Sequence, residues 1–394
     1  AEIRKTLRSK NKVLVTTLTK RMAEDLTEYL RPRLLEPLGG LSWVTPGMKV
    51  VIKANLVSGK PPEDAVTTHP ALLCVLTEML IAKGAASVVI GDSPGGVYNA
   101  AYLNRIYQKC GITAAEQYGA VLNQNFGITE VHFPEAAVAH EFKYTAYLDD
   151  ADAVINCCKL KTHGMMGMTC AVKNMYGMVP GSVKSEYHYR YSDPMDFARM
   201  IIDLNRAKPA RLHIVDAVVG MEGNGPTAGT PREIGCLLAG YDPYRLDMIC
   251  AGIIGLPPAC IPTVAAAQGL GLCPDEPGDI TTNEPWQSFI VPDFENIRNA
   301  EALAQQDGNV ALWGRMKDRL MKVFMRSRPA VQKDECIGCA ECGRICPAKV
   351  ITMVNGKPRI DRKKCIRCFC CQEFCPVGAM KVHRTPIAKL LEKL

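Results

Sequence analysis

The chain has 394 residues, 47% of them hydrophobic and 22% charged, with 47 Lys and Arg against 40 Asp and Glu for a formal net charge of +7. So much apolar material with so little charge excludes a disordered, collagenous or coiled-coil chain, and the length suggests two or three domains. The charge is uneven: residues 331–394 carry 13 Lys and Arg against 6 Asp and Glu, which leaves 34 against 34 in residues 1–330. A neutral body without a basic, aromatic-interleaved face argues against nucleic acid as the partner.

The first fifteen residues contain no apolar signal region, and no run of about 18 apolar residues occurs, so no membrane span is expected. Eighteen cysteines without a secretory leader read as reduced thiols of a cytoplasmic protein. Residues 1–275 alternate apolar runs with helical patterns. The runs at 49–52, 87–90, 153–155, 212–215 and 234–239 are short, rich in β-branched or aliphatic residues and flanked by turn residues, as strands of a parallel sheet are. A helical pattern at 70–83 is closed by Gly84. The expected fold class is α/β, a mostly parallel open sheet with flanking helices.

Ligands of such sheets bind beyond the carboxyl ends of the strands, so the residues that follow each run are the candidates. Lys53 and Asn55 follow the first run, Asp92 the second, and Lys159, Lys161 and His163 the third, with Lys173 and Asn174 a dozen residues later. Asp216 follows the fourth run and leads into Glu222, Gly223, Asn224 and Gly225, and Asp242 and Asp247 follow the fifth. Five cations at one sheet edge would form an anion pocket, the alternative being solvated loop charges. Beside two lysines His163 should be neutral, which suits a general base or a donor to substrate. Asp92, Asp216 and Glu222 can hold a divalent ion or a proton, but either Asp can balance the lysines, and Asp92 before Ser93-Pro94 can cap a helix. The glycine-rich segment 221–229 offers backbone N–H groups to an anion, or is simply a tight loop. It matches neither the dinucleotide fingerprint nor the Walker pattern.

Residues 276–330 read as a linker with a connecting helix at 311–324, whose apolar stripe would tie a second domain, residues 331–394, to the body. That domain holds two copies of C-x2-C-x2-C-x3-C-P: Cys336, Cys339, Cys342, Cys346 and Cys365, Cys368, Cys371, Cys375. In this pattern three thiolates on one turn meet three irons of a cubane, and the fourth Cys of each run serves the other cluster. Cys336, Cys339, Cys342 and Cys375 are therefore expected to hold one [4Fe–4S] cluster, and Cys365, Cys368, Cys371 and Cys346 the other. Zinc is the alternative, but it favours paired C-x2-C units over triplets. Cys370 falls outside the pattern. Between the runs, Asn355-Gly356 marks a hairpin.

The set K-x-N, G-D-S-P-G, K-x-K-x-H with a downstream K-N-x-x-G, D-x5-E-G-N-G-P and G-x-D-P-x3-D over residues 48–275 resembles the DUF362 family, often fused to a ferredoxin domain. Residues 331–385 resemble the bacterial 2[4Fe–4S] ferredoxin domain, a small α+β module, which implies electron transfer. The combined expectation is an iron–sulfur oxidoreductase suited to anaerobic chemistry, in which His163, Lys161, Lys159 and Asp216 are catalytic. Lys53, Asn55, Asp92, Lys173, Asn174 and 222–225 would bind an anionic substrate or an organic cofactor such as a flavin. Its electron donor would be a ferredoxin, a flavodoxin or a reductase. The alternative is a non-catalytic carrier that docks on another redox enzyme. Two oxidised clusters with their thiolates bring about −4, so the basic surplus of the tail reads as counter-charge for cofactors.

Overall fold

Val50 and Ile52 are buried on one face of the sheet and Val51 on the other, and Ile155/Cys157 against Cys158/Leu160 and Ile214/Leu237 against Val215/Leu238 repeat the alternation. Strands covered on both faces need apolar residues at successive positions, which is why these runs show no polar alternation. The computed structural model describes residues 12–17, 30–297 and 327–385. In chain order the α/β part contains β1 (Lys12–Thr17), β2 (Lys49–Lys53), β3 (Ser87–Gly91), β4 (Ala120–Leu122), β5 (Ile128–His132), β6 (Glu141–Thr145), β7 (Ala153–His163), β8 (Gly167–Thr169), β9 (Leu212–Glu222), β10 (Thr230–Gly240) and β11 (Thr281–Thr282). The main sheet runs β11-β1-β10-β9-β7-β2-β3-β4, with β8 folded back on β7. From β9 to β4 every neighbour is parallel.

The run at 234–239 departs from expectation. It lies in β10, which is antiparallel to β9, because seven residues between the two strands cannot make the crossover that a parallel neighbour requires. Its end therefore points to the opposite edge of the sheet. There Asp242 accepts hydrogen bonds from Tyr244 N and Arg245 N and caps the helix Pro243–Ile253. Asp247 on that helix accepts from Ala171 N at 2.7 Å and steadies the short helix Ala171–Asn174.

Residues 276–297, expected as linker, pack on the body: Ile280, Phe289 and Phe294 are buried in the larger core. The expected helix at 311–324 lies outside the described residues. The C-terminal domain contains β12 (Arg328–Val331), β13 (Ile351–Val354), β14 (Lys357–Ile360) and β15 (Met380–His383), with short helices at Glu341–Ile345 and Cys370–Glu373. β13 and β14 form the expected hairpin, and Asn355 (φ 50°) and Gly356 (φ 71°) take the two left-handed positions of its turn. Among the described residues no helix is long and apolar enough to cross a membrane.

Candidate functional site

The parallel register sets Lys53 beside Asn156, and Lys159 beside Asp216. Lys159, Lys161 and His163 alternate along the end of β7 and so share one face. Two of the expected cations are neutralised in place. Lys53 Nζ meets Asp92 Oδ1 at 2.7 Å and Lys159 Nζ meets Asp216 Oδ2 at 2.6 Å. Asp92 also accepts from Leu56 N and Ser93 N, and Asp216 from His69 N. Both carboxylates are thereby committed to lysines and backbone, so neither is a vacant metal ligand. Nor does Asp92 cap a helix, since the next one, Ala100–Lys109, is capped by Asn99.

Lys161 differs. It is fully buried, and its Nζ donates to Asn55 Oδ1 and Val66 O, each at 2.6 Å, both neutral oxygens. Burial without a paired carboxylate lowers its pKa to about 7, with Glu373 pulling in the opposite direction. Asn55 continues the network: its Nδ2 donates to Asn174 Oδ1, and Asn174 Nδ2 donates to Asn156 Oδ1. His163 is buried, and burial with Lys173, His188 and Lys161 nearby holds its imidazole well below its usual pKa. Its Nδ1 accepts from Met165 N and Met166 N, so the proton resides on Nε2. That nitrogen is buried without a hydrogen-bond partner and faces Glu373 Oε2 at 3.8 Å.

The segment 222–225 does not join this cluster. Glu222 accepts from Glu295 N and faces Arg232, away from the lysines. Gly223 N donates to Glu295 O, and Gly225 N to Thr162 Oγ1, so neither amide is free for an anion. The loop instead receives the second domain. Gln372 Nε2 donates to Asn224 O and Gly225 O, Asn224 Nδ2 to Met380 O, and Thr227 Oγ1 to Glu373 O.

Where the two domains meet they frame a small, partly open cleft with a cavity volume of about 60 Å³. Of the expected residues Asn55, Asp92, Lys173 and Asn174 line it, whereas Lys53, Lys159, Lys161, His163 and Asp216 do not. Sequence reasoning gave no role to Lys184, His188, Cys370, Glu373 or Phe374, all of which line it. The available signal was the spacing of Lys184 and His188, one helical turn apart on the helix Gly181–Arg190 and therefore on one face. Three polar groups of the lining lack a partner among the described residues. Ser93 Oγ and His188 Nδ1 are buried and unbonded, and Lys173 Nζ makes neither a hydrogen bond nor an ion pair. Lys184 donates to Val179 O, and burial lowers its pKa to about 7. Lys173 is lowered by the same cause.

The cysteines of the second domain surround two further cavities. One is walled by Cys336, Cys339, Cys342 and Cys375 among mainly apolar residues. The other is walled by Cys346, Cys365, Cys368 and Cys371. Four cysteines lining one mainly apolar pocket are the ligand set of a cubane cluster, and three residues from one turn with a fourth from elsewhere is the arrangement its irons require.

A family model described as a domain of unknown function, DUF362, matches residues 50–252. The chain belongs to the DUF362 family. A model of the 4Fe-4S dicluster domain matches residues 328–376, so this DUF362 protein carries an iron–sulfur electron-transfer module at its C-terminal side. A thylakoid-associated protein of Synechocystis sp. is 36% identical over 249 residues, covering 61% of this chain and 74% of the relative. Among solved structures, lactate racemase apoprotein from Thermoanaerobacterium thermosaccharolyticum aligns at 12% identity with a TM-score of 0.36, over 59% of this chain and 55% of that one. A Thermotoga maritima protein aligns at 14% identity and a TM-score of 0.33, over 54% of this chain and 53% of that one. The chain thus spans little more than half of either structure, and at those scores neither bears on function.

Proposed function

We propose that the protein is an iron–sulfur oxidoreductase that reduces a phosphate- or carboxylate-bearing small molecule, substrate or organic cofactor, held in the interdomain cleft. The observation that carries this reading is that Ser93 Oγ and His188 Nδ1, buried without a hydrogen bond, share the cleft with Lys173 and Lys184. Buried polar atoms left unbonded are costly, and an anion would satisfy Ser93 Oγ while adding counter-charge for Lys173 and Lys184, which feel Glu373 and Asp92 but form no ion pair with either. The lining also includes Cys370, Glu373 and Phe374, neighbours in sequence of the cluster thiols Cys371 and Cys375. When loaded, the dicluster domain supplies electrons singly at that part of the lining.

The chain's own groups then do the rest. Lys173 and Lys184 bind and polarise the anion, Ser93 orients it, and Phe374 covers the cleft against water. His163 carries its proton on Nε2, facing Glu373 at 3.8 Å without a hydrogen bond, which suits a proton donor rather than a base. Asp92 lines the cleft and holds Lys53 behind it, and Lys159 with Asp216 forms a second buried pair; these are positioning residues. All eighteen cysteines are free thiols, which supports a reducing, cytoplasmic setting for this chemistry.

Calorimetry with inorganic phosphate and with acetate tests the reading on wild type, Lys173→Ala and Lys184→Ala. Loss of a charged hydrogen bond should weaken the preferred anion by about tenfold or more in each variant. Equal affinity in all three proteins would remove the cleft from consideration.

A further inference from the structure

The two cysteine cradles differ in how they meet solvent. Cys346, Cys368 and Cys371 are 7%, 8% and 6% exposed and Cys365 is half-buried, and Cys368, Phe369 and Cys370 belong to the hydrophobic core of the α/β domain. Phe369 rests against Gly164, at the end of β7. In the other cradle Cys339 is exposed and Cys336, Cys342 and Cys375 are half-buried. Its outer wall includes Ile337 and Val377, 65% and 44% exposed. The β13–β14 turn adjoins it at Gly338 and brings Val354, 46% exposed. Large apolar side chains left this open around one cradle mark a surface built to be covered.

The rim of that surface is basic. Lys357 Nζ donates to Cys336 O at 2.6 Å and Arg344 Nη2 to Cys339 O at 3.2 Å, so both cations are anchored on the cysteine loop itself. Arg359 and Lys349 are exposed nearby, and Lys60 and Lys109 continue the rim across the groove bordered by Cys339 and Cys375. The acids there are Glu341, paired with Arg344, Glu335, paired with Lys381, exposed Asp334, and Asp64 and Glu373 in the groove, fewer than the cations around them.

We infer that electrons are taken up at the Cys336–Cys339–Cys342–Cys375 cradle from an acidic one-electron carrier protein docked on Ile337, Val354 and Val377, and pass inward to the Cys346–Cys365–Cys368–Cys371 cradle beside the cleft. The carrier is oxidised by one electron and the first cradle's cluster is reduced by one; no bond or proton is exchanged. An apolar centre within a charged rim is the usual anatomy of a transient interface, and the rim sets the rate of encounter. The inference rests on the dicluster domain and not on the identity of the cleft's ligand, so either can fail alone.

The test uses the full-length, cluster-loaded protein and an acidic flavodoxin as probe. Stopped-flow reduction of the wild type by reduced flavodoxin should slow by about tenfold or more between roughly 20 mM and 300 mM salt. Ile337→Asp combined with Arg359→Glu should slow it by about tenfold at low salt and abolish complex formation seen by calorimetry. Reduced methyl viologen, a small cation, should reduce both proteins equally fast. A rate indifferent to salt in the wild type, or flavodoxin binding unchanged in the variant, overturns the inference.

Discussion

Lys159 and Asp216 stand opposite each other in the parallel register of β7 and β9 and meet at 2.6 Å, whereas Lys161, on the same face of β7, bonds only to the neutral oxygens of Asn55 and Val66. Lys161 therefore holds its proton more weakly in the fold, with a pKa of about 7, than in the unfolded chain, where 10.5 applies. Between these values the unfolded chain binds the extra proton, so stability rises with pH by up to ~1.4 kcal/mol per unit, and the full penalty is felt below pH 7. Lys161→Met should flatten that rise. Urea denaturation at successive pH values measures it, and an unchanged slope would show that Lys161 does not titrate there.

Asp92→Asn should be far more harmful than an ordinary surface change. Lys53 is fully buried, and Asp92 is its sole carboxylate partner among the described residues. Stranding that ammonium costs about 3–5 kcal/mol, read as a shift in denaturation midpoint. Lys53→Met added to Asp92→Asn should restore a large part of the loss. A single variant as stable as wild type would mean that the pair is solvated.

The docking of the two domains depends on a glycine. A Cβ at position 95 would fall within the ring of Phe374, so Gly95→Ala forces that ring to move. Overpacking of this kind costs about 1–3 kcal/mol. Faster hydrogen exchange in residues 223–228, which receive Gln372 and Glu373, should accompany it, and Phe374→Leu should reverse both effects. Unaltered exchange would show that Gly95 and Phe374 do not meet.

Paired cysteine variants read out which thiols share a cluster. Cys339→Ser with Cys375→Ser should strike one cradle and leave about four irons per chain, whereas Cys371→Ser with Cys375→Ser should strike both. Iron analysis with EPR decides. The reverse result would mean that each run of four holds its own cluster.

The residues at the strand ends were legible because a parallel sheet places its ligand edge at the carboxyl ends, and β2, β7 and β9 are neighbours as that reading needs. The role of each residue was not legible. Lys53 and Lys159 read as members of a cationic pocket until their partners, Asp92 and Asp216, some 40 to 60 residues away in sequence, were seen to neutralise them. The same holds for 222–225, where glycines that suggested an anion loop prove to be the seat of the second domain.

What the sequence determined by itself was whatever depends on local spacing: the two cysteine runs, the Asn355-Gly356 hairpin, the buried parallel strands and the family. Their physics is complete within a few residues, since a turn or a triplet of thiolates needs no distant partner. Tertiary structure decided the direction of β10, the pairing of the buried lysines, and the location of the cleft. These depend on which groups lose water together, and burial is a property of the packed chain. Lys184 is an ordinary lysine in the sequence and Lys173 only one of five cations near the strand ends; only the packing of the cluster domain beside Gly95 brings both into one cleft.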